Sequence, residues 1–448
     1  MSFSLTGSMK VFVPSLFFGL ASLCGPQEVI KLIPNIGIVV ASWQHSSFIN
    51  LFLGLGMGTE HKFTTTLFML TAAVLANGAA GLLYAWSLFI LPIEETLSLN
   101  RADLGLISSV ALVSFTLGVL VLPIVVSKIG RLCAAILAFA LMAGGHLIFG
   151  ISASWTTLIL GYGLGFGVGS GLAYGFALSL AAALPARIRA LSIGLSLGAF
   201  ALSGIVLPVV LGNWISTTAP STAFLRIGIA TLVVGAICIT ALVGAAGVAR
   251  NSDKMALPSS GPLSIDMPFL ILSLILFLIC FTGLAVVSQA TAIAASAGIA
   301  AAGYATTALT VGYLAGSLIG APFAEQSGER NALLLLSIFT LLGLLAMITH
   351  SQVFLFIGSI LIGLTLGGVG SIMPVLLGLR YGATNISRLF GRMIIGYGLA
   401  GLIAPGIAGM MFESAQSYTP MLGLCVAMAA LSLTAGVALE KLAVKQKY

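Results

Sequence analysis

Charge is what this chain has least of. Only 6% of its 448 residues are Asp, Glu, Lys or Arg, against 59% hydrophobic, and mean hydropathy is +1.17. A water-soluble domain carries roughly 25% charged residues, so this chain cannot coat a surface that faces water. A soluble enzyme, a disordered chain and a nucleic-acid-binding protein are excluded together, and the solvent must be lipid. The net charge of +7 fits that reading, because the basic surplus of a membrane protein collects in cytoplasmic loops. Cysteine is also sparse. Cys24, Cys133, Cys238, Cys280 and Cys425 lie far apart, with neither metal-ligand nor disulfide spacing, and read as small apolar filler. No metal, cofactor or nucleophile–base constellation is expected. The loops are too short for a catalytic or ATP-driving domain, so the chain reads as neither an enzyme nor an ATPase.

What is present is apolar length. A helix needs about 20 apolar residues to cross a bilayer. From Lys62 onward twelve runs qualify, at roughly 63–92, 102–126, 132–151, 156–183, 190–213, 223–248, 268–290, 301–323, 331–349, 352–377, 389–411 and 420–439. The longest break, 249–267, reads as a cytoplasmic linker between bundles at 62–248 and 268–441, with a basic tail at 442–448. If the segment before the first run is cytoplasmic, nearly every later Lys and Arg falls inside, and only Arg101 and Arg226 fall outside. That asymmetry predicts a multi-pass protein of the cell membrane with both bundle termini in the cytoplasm. Residues 1–61 stand apart from this scheme. They read as an upstream extension with Met57 as the true start, as a cleaved leader, or as one extra helix, and the complete pattern after Met57 favours the first.

The two parts repeat at an offset of about 198 residues. Pro123 and Arg131 answer Pro322 and Arg330; Gly165 and Gly169 answer Gly363 and Gly367; Gly204 and Pro208 answer Gly401 and Pro405. A duplicated six-plus-six helical chain is the build of secondary transporters, whose substrate sits near the midplane between the repeats. The predicted fold is therefore all-α and polytopic, with twelve transmembrane helices in two pseudo-symmetric six-helix halves.

The loop after the second run holds Lys128, Gly130 and Arg131, and its repeat holds Glu325, Gly328 and Arg330. These are degraded copies of a loop motif of the major facilitator superfamily, which the chain resembles from about Lys62 to Leu442. Tyr84-Ala-Trp86-Ser-Leu-Phe89 with Pro92, and the glycine-rich stretch from Gly161 to Gly175, together resemble the oxalate/formate antiporter and monocarboxylate transporter-like branch. The resemblance implies transport of a small organic anion. Against a dianion, run eight lacks the basic residue that branch tends to carry, and the corresponding position of run eleven holds Tyr397.

In run four, Gly161, Gly165 and Gly169 form one row at helical spacing, and Gly163, Gly167 and Gly171 form another. Rows of small residues let membrane helices approach closely, so these are expected at packing faces. Gly204, Pro208, Gly401 and Pro405 are expected as bend points. No acid sits mid-span: Glu94, Glu95, Asp103 and Glu413 fall at outer ends. His146 is the one mid-span group that titrates near neutrality and the candidate for proton coupling, against a plain structural hydrogen bond. Arg392 either snorkels to the interface or faces the path and forks onto a carboxylate. Asn77, Tyr84, Trp86, Tyr174, Gln289, Tyr313 and Tyr397 complete the candidate substrate path.

The expectation is a monomeric carrier in the lipid bilayer, with a small-molecule substrate and no nucleic-acid partner. It would move a small organic anion, a monocarboxylate by the resemblance, through alternating access. An exporter of apolar or weakly charged compounds is the alternative, and a non-transporting membrane sensor a third reading.

Overall fold

A computed structural model describes residues 60–246, 266–349, 351–382 and 386–445. The readings placed on residues 1–59 and on most of the linker, 249–265, lie outside the described residues. All the regular structure described is helical. The helices are α1 (Glu60–Ala80), α2 (Ile90–Leu97), α3 (Arg101–Ile151), α4 (Trp155–Leu158), α5 (Gly167–Ala182) and α6 (Ala186–Thr217). They continue with α7 (Pro220–Ala246), α8 (Met267–Ser296), α9 (Tyr304–Ile348), α10 (Gln352–Tyr381), α11 (Ile386–Ala415) and α12 (Thr419–Lys445). A 3₁₀ segment, Gly81–Leu88, follows α1, and a π-helical turn, Ile159–Phe166, links α4 to α5. Among the described residues, ten stretches are long and apolar enough to cross a membrane. Along all of them Leu, Ile and Val side chains stand exposed, among them Leu67, Val210, Ile229, Ile319 and Leu431. That outward apolar coat belongs in lipid, and the chain is a multi-pass helical membrane protein.

Two of the ten are far too long to cross once. At 1.5 Å per residue, the 51 residues of α3 would run about 76 Å, more than twice the roughly 30 Å hydrocarbon core. Each breaks at a glycine: Gly130 in α3 (φ 80°, ψ 168°) and Gly328 in α9 (φ 78°, ψ 171°). That backbone region is essentially closed to residues with a Cβ. The loop motif read from the sequence thus contains the reversal itself. The two glycines lie 198 residues apart, the offset of the repeat.

The repeat is finer than the sequence suggested. Gly145 packs on Gly161 in the N-terminal helices as Gly343 packs on Gly358 in the C-terminal ones. Further along, Gly363 and Gly367 face the Leu309 and Tyr313 carbonyls, and their counterparts facing the Ala111 and Phe115 carbonyls are Gly167 and Gly171. This corrects the pairing of Gly165 and Gly169 with Gly363 and Gly367. Between Gly161 and Gly167 the first copy holds one residue more than the second does between Gly358 and Gly363, and the π-helical turn lies there. A π-bulge accommodates one extra residue within a helix, which shifts the register downstream.

Each glycine row of this stretch serves a different neighbour. Gly161, Gly165 and Gly169 face the second arm of α3 at Gly145, Leu141 and Ala138, while Gly163, Gly167 and Gly171 face its first arm at Val110, Ala111 and Phe115. Close packing of three segments consumes both rows.

The N-terminal helices pack mainly on one another, as do the C-terminal ones, and the two sets meet along α3–α11 and α6–α9. These seams are related by the repeat: Gly401 meets Leu112 on one, and Gly204 meets Thr310 on the other. Pro405 and Pro208 lie within the helices at the two seams.

Candidate functional site

The first span is not one regular helix, and the irregularity positions the site. Where α1 gives way to the 3₁₀ segment, carbonyls lose their α-helical partners, and in lipid every such group must be satisfied within the protein. Ser170 of α5 donates to the Ala80 carbonyl at 2.9 Å, and Ser203 of α6 donates to that of Gly78. Gly81 lets the segment press onto the Phe200 backbone, where a Cβ would lie 2.0 Å from the carbonyl oxygen. Tyr84 is thereby held at the centre of the protein, buried.

Around it lies a cavity of about 50 Å³. Tyr84, Phe115, Tyr174 and Phe200 reach it from the N-terminal helices; Cys280, Tyr313, Phe390 and Tyr397 reach it from the C-terminal ones. The rings meet edge to face: Tyr84 with Phe200 at 5.0 Å and with Tyr313 at 5.2 Å, and Tyr174 with Phe200 at 5.5 Å. The Tyr84 and Tyr397 hydroxyls lie 3.3 Å apart, one from each set of helices. Among the described residues, no Asp, Glu, Lys, Arg or His lines this cavity.

Four of the tyrosines predicted for the path therefore converge. Other candidates lie elsewhere. Arg392, the candidate anion anchor, is exposed and does not line the cavity. Asn77 is buried between helices and donates to the Ser196 carbonyl (2.9 Å) and hydroxyl (3.1 Å), pinning α1 to α6. Trp86 stacks on Tyr162 at 4.7 Å. His146 sits beside them, 4.5 Å from the Phe166 ring, with Nδ1 2.8 Å from the Met142 carbonyl. That is the structural role weighed against coupling, and His146 is separate from the cavity lining. In the second loop motif Glu325 and Arg330 are exposed, and beside it Arg380 forms an ion pair with Glu329 at 2.7 Å. Phe115, Phe200 and Cys280 were missed. An apolar residue in an apolar run carries no signal, although Phe115 stands 198 residues before Tyr313.

Arg101, counted in the sequence only as a boundary residue, is the centre of a second arrangement. It is 7% exposed. Its Nε donates to Glu94 at 2.6 Å, its guanidinium donates to the Tyr418 hydroxyl at 2.7 Å, and its charge lies 4.8 Å from the centre of the Phe412 ring. Tyr418 in turn donates to Gln289 at 3.0 Å, which places Gln289 here and not at the cavity. Burial pushes the Tyr418 phenol up to about 12, against the pull of Arg101. The Arg101 backbone N–H, in the first turn of α3, donates to Glu413 at 2.6 Å, so a carboxylate of α11 caps α3, where the helix dipole favours negative charge. Arg101 and Glu94 belong to the N-terminal helices; Phe412, Glu413, Tyr418 and Gln289 belong to the C-terminal ones.

The repeat-related seam is open at this end. Gly105 and Gly409 of the first seam press on Pro405 and Arg101, where a Cβ would lie 2.4 and 2.2 Å from the carbonyl oxygens. Gly303 and Gly212, their counterparts on the α6–α9 seam, make no such approach. A cleft of about 690 Å³ lies there instead, lined by Pro208, Gly212 and Gly303. Thr291, in its lining, lies 3.1 Å from the Thr306 hydroxyl of the same set of helices, and Thr306 lies 2.6 Å from the Ser87 hydroxyl of the other set. The sequence matches no protein-family model and no curated protein.

Proposed function

We propose that this chain is a secondary carrier of the major facilitator type, a monomer in the cell membrane that moves a small organic molecule by alternating access around the central cavity. The observation that carries this reading is a cavity lined from both sets of helices, with Tyr84 and Tyr397 meeting across it at 3.3 Å. Any ligand lodged there couples the motion of one set to the other. The glycine reversals at Gly130 and Gly328 support a twelve-span count, since each turns one long stretch into two crossings. The charge rule then puts the Arg101 end outside and the Gly130 end in the cytoplasm. Of the two cargo classes open from the sequence, an uncharged or weakly charged molecule fits the cavity better than a small organic anion, because no cation among the described residues lines it.

Native Cys280 tests the carrier reading without knowledge of the cargo. It is buried at the cavity, so a membrane-impermeant maleimide reaches it only when one face opens. In sealed vesicles of either orientation, Cys280 is expected to be labelled from both sides, as read by peptide mass spectrometry. A Ser109→Cys/Gly406→Cys disulfide is expected to remove labelling from the Arg101 side alone, since the Ser109 hydroxyl accepts from the Gly406 N–H at 3.1 Å across the closed seam. Labelling from one side only in the unlocked protein would sink alternating access.

A further inference from the structure

We propose that the central cavity takes an uncharged, compact organic molecule, about one small ring in size, gripped by one neutral polar group between the Tyr84 and Tyr397 hydroxyls. The proposal rests on the carrier reading and specifies its cargo. Three features of the cavity carry it: its charge, its walls and its size.

Among the described residues, the lining supplies no counter-ion of either sign. An unpaired charge carried into a membrane interior is costly and is normally met by a partner or by water. Among the described residues a carboxylate here would meet only aromatic and aliphatic walls, phenol hydroxyls and the Cys280 thiol, with no guanidinium or ammonium to replace its lost hydration. An organic cation would gain from ring faces, yet it would have no carboxylate beside it. The edge-to-face contacts of Tyr84 with Phe200 and Tyr313, and of Tyr174 with Phe200 and Phe115, already occupy part of those faces. A neutral apolar body loses nothing on entering these walls.

The walls also contain one place that demands a polar partner. The Tyr84 and Tyr397 hydroxyls are 3.3 Å apart, long for a hydrogen bond between two oxygens. Between them they offer a donor and an acceptor to a third group, such as an alcohol, a phenol or an amide. Because the two hydroxyls come from opposite sets of helices, a ligand that bridges them replaces a weak contact by two better ones and draws the sets together around itself.

Size narrows the class. A cavity of about 50 Å³ holds on the order of four waters by the usual allowance for probe-occupied volume, which is comparable to one six-membered ring with a short substituent. Sugars and larger drugs do not fit the state described here.

The test uses probes that share one ring and differ only in charge and hydrogen bonding: benzyl alcohol, benzoate, benzylammonium and toluene. With the full chain in detergent at neutral pH, maleimide labelling of Cys280 is followed by peptide mass spectrometry, and exposed Cys133 reports non-specific effects. At about ten times its Kd, benzyl alcohol is expected to slow Cys280 labelling about tenfold, as single-site occupancy requires. Benzoate and benzylammonium are expected to leave the rate within about a factor of two, since either ion would be buried without a partner. Tyr84→Phe and Tyr397→Phe keep the ring, and each should weaken protection by benzyl alcohol about fivefold, the worth of one neutral hydrogen bond. Stronger protection by benzoate or benzylammonium overturns the neutral class. Equal protection by toluene overturns the hydroxyl grip. Silence of every probe, with Cys280 still labelled from both faces in vesicles, overturns the cargo class and leaves the carrier standing. A Cys280 that no reagent reaches from either face removes the carrier reading and this proposal with it.

Discussion

Replacing Arg101 with alanine is expected to raise labelling of Cys280 from the Arg101 side by about tenfold or more, while labelling from the opposite side falls. Arg101 ties the two sets of helices together through Tyr418 and Phe412, while Glu94 of its own set holds the guanidinium in place. The hydrogen bond from its charged guanidinium to the Tyr418 hydroxyl is of a kind worth about 1.5–3 kcal/mol. The Glu94 pair lies on one side of the seam and persists when it opens, so about 2 kcal/mol is expected from the contacts that cross. That loss falls mainly on the state in which the seam is closed, because the partners of Arg101 on α11 and beside α12 separate when it opens. A differential of about 2 kcal/mol moves a two-state equilibrium roughly thirtyfold.

The variant separates a gate from a general stabiliser. Arg101→Lys keeps the charge but lacks the fork that reaches Glu94 and Tyr418 together, and is expected to fall between wild type and alanine. Glu413 accepts from the Arg101 main chain, so Glu413→Gln should act independently and add to the alanine effect. Uniformly lower stability with no change in the ratio of labelling from the two sides would mean that Arg101 is only structural. The α6–α9 seam is the internal control. It has the same repeat-related glycine and proline positions but Ile299 where Arg101 stands in the other copy, and at this end it is open to a cleft. Small residues allow close approach, and a charge network holds it.

Which parts of this arrangement were readable in the sequence follows from the range of the forces involved. Scarcity of charge dictates lipid, lipid dictates helices, and the glycine rows at four-residue spacing dictate close packing; all of these are local or compositional. The 3₁₀ break in Gly81–Leu88 was not readable. Its sequence, GLLYAWSL, contains nothing incompatible with an α-helix, and the carbonyls at the break are satisfied by Ser170 and Ser203 from distant helices. Arg101 was visible as a residue but not as a centre, because its partners come from α2, α11 and the residue before α12. Glu94 and Glu413 assigned to the same end were the available hint. The aromatic cavity was half legible: tyrosines inside an apolar run announce an unmet hydroxyl, whereas Phe115 and Phe200 look like any core residue. The repeat was visible, but its one-residue slip depends on the backbone alone.

The glycines that set this geometry yield the second large effect. Gly171→Ala and Gly367→Ala are each expected to reduce stability by about 3 kcal/mol or more, at or beyond the upper end of overpacking costs. The added Cβ would lie 1.9 Å from the Phe115 carbonyl oxygen in the first case and 2.1 Å from that of Tyr313 in the second. These are main-chain atoms of a neighbouring helix, so no rotamer change relieves the clash and the helices must part. Phe115 and Tyr313 both line the cavity, so parting the helices there also displaces a wall of the binding site. Gly144→Ala is the matched control. It is also a helical glycine, nothing lies within 4 Å of its Cβ position, and the change should be neutral or favourable by up to about 1 kcal/mol through helix propensity. Thermal unfolding of the three variants in the same detergent decides the matter. The packing account requires the two repeat-related variants to fall together and Gly144→Ala to stay; if Gly171→Ala behaves like Gly144→Ala, the close approach of α5 to the first arm of α3 does not hold that wall in place.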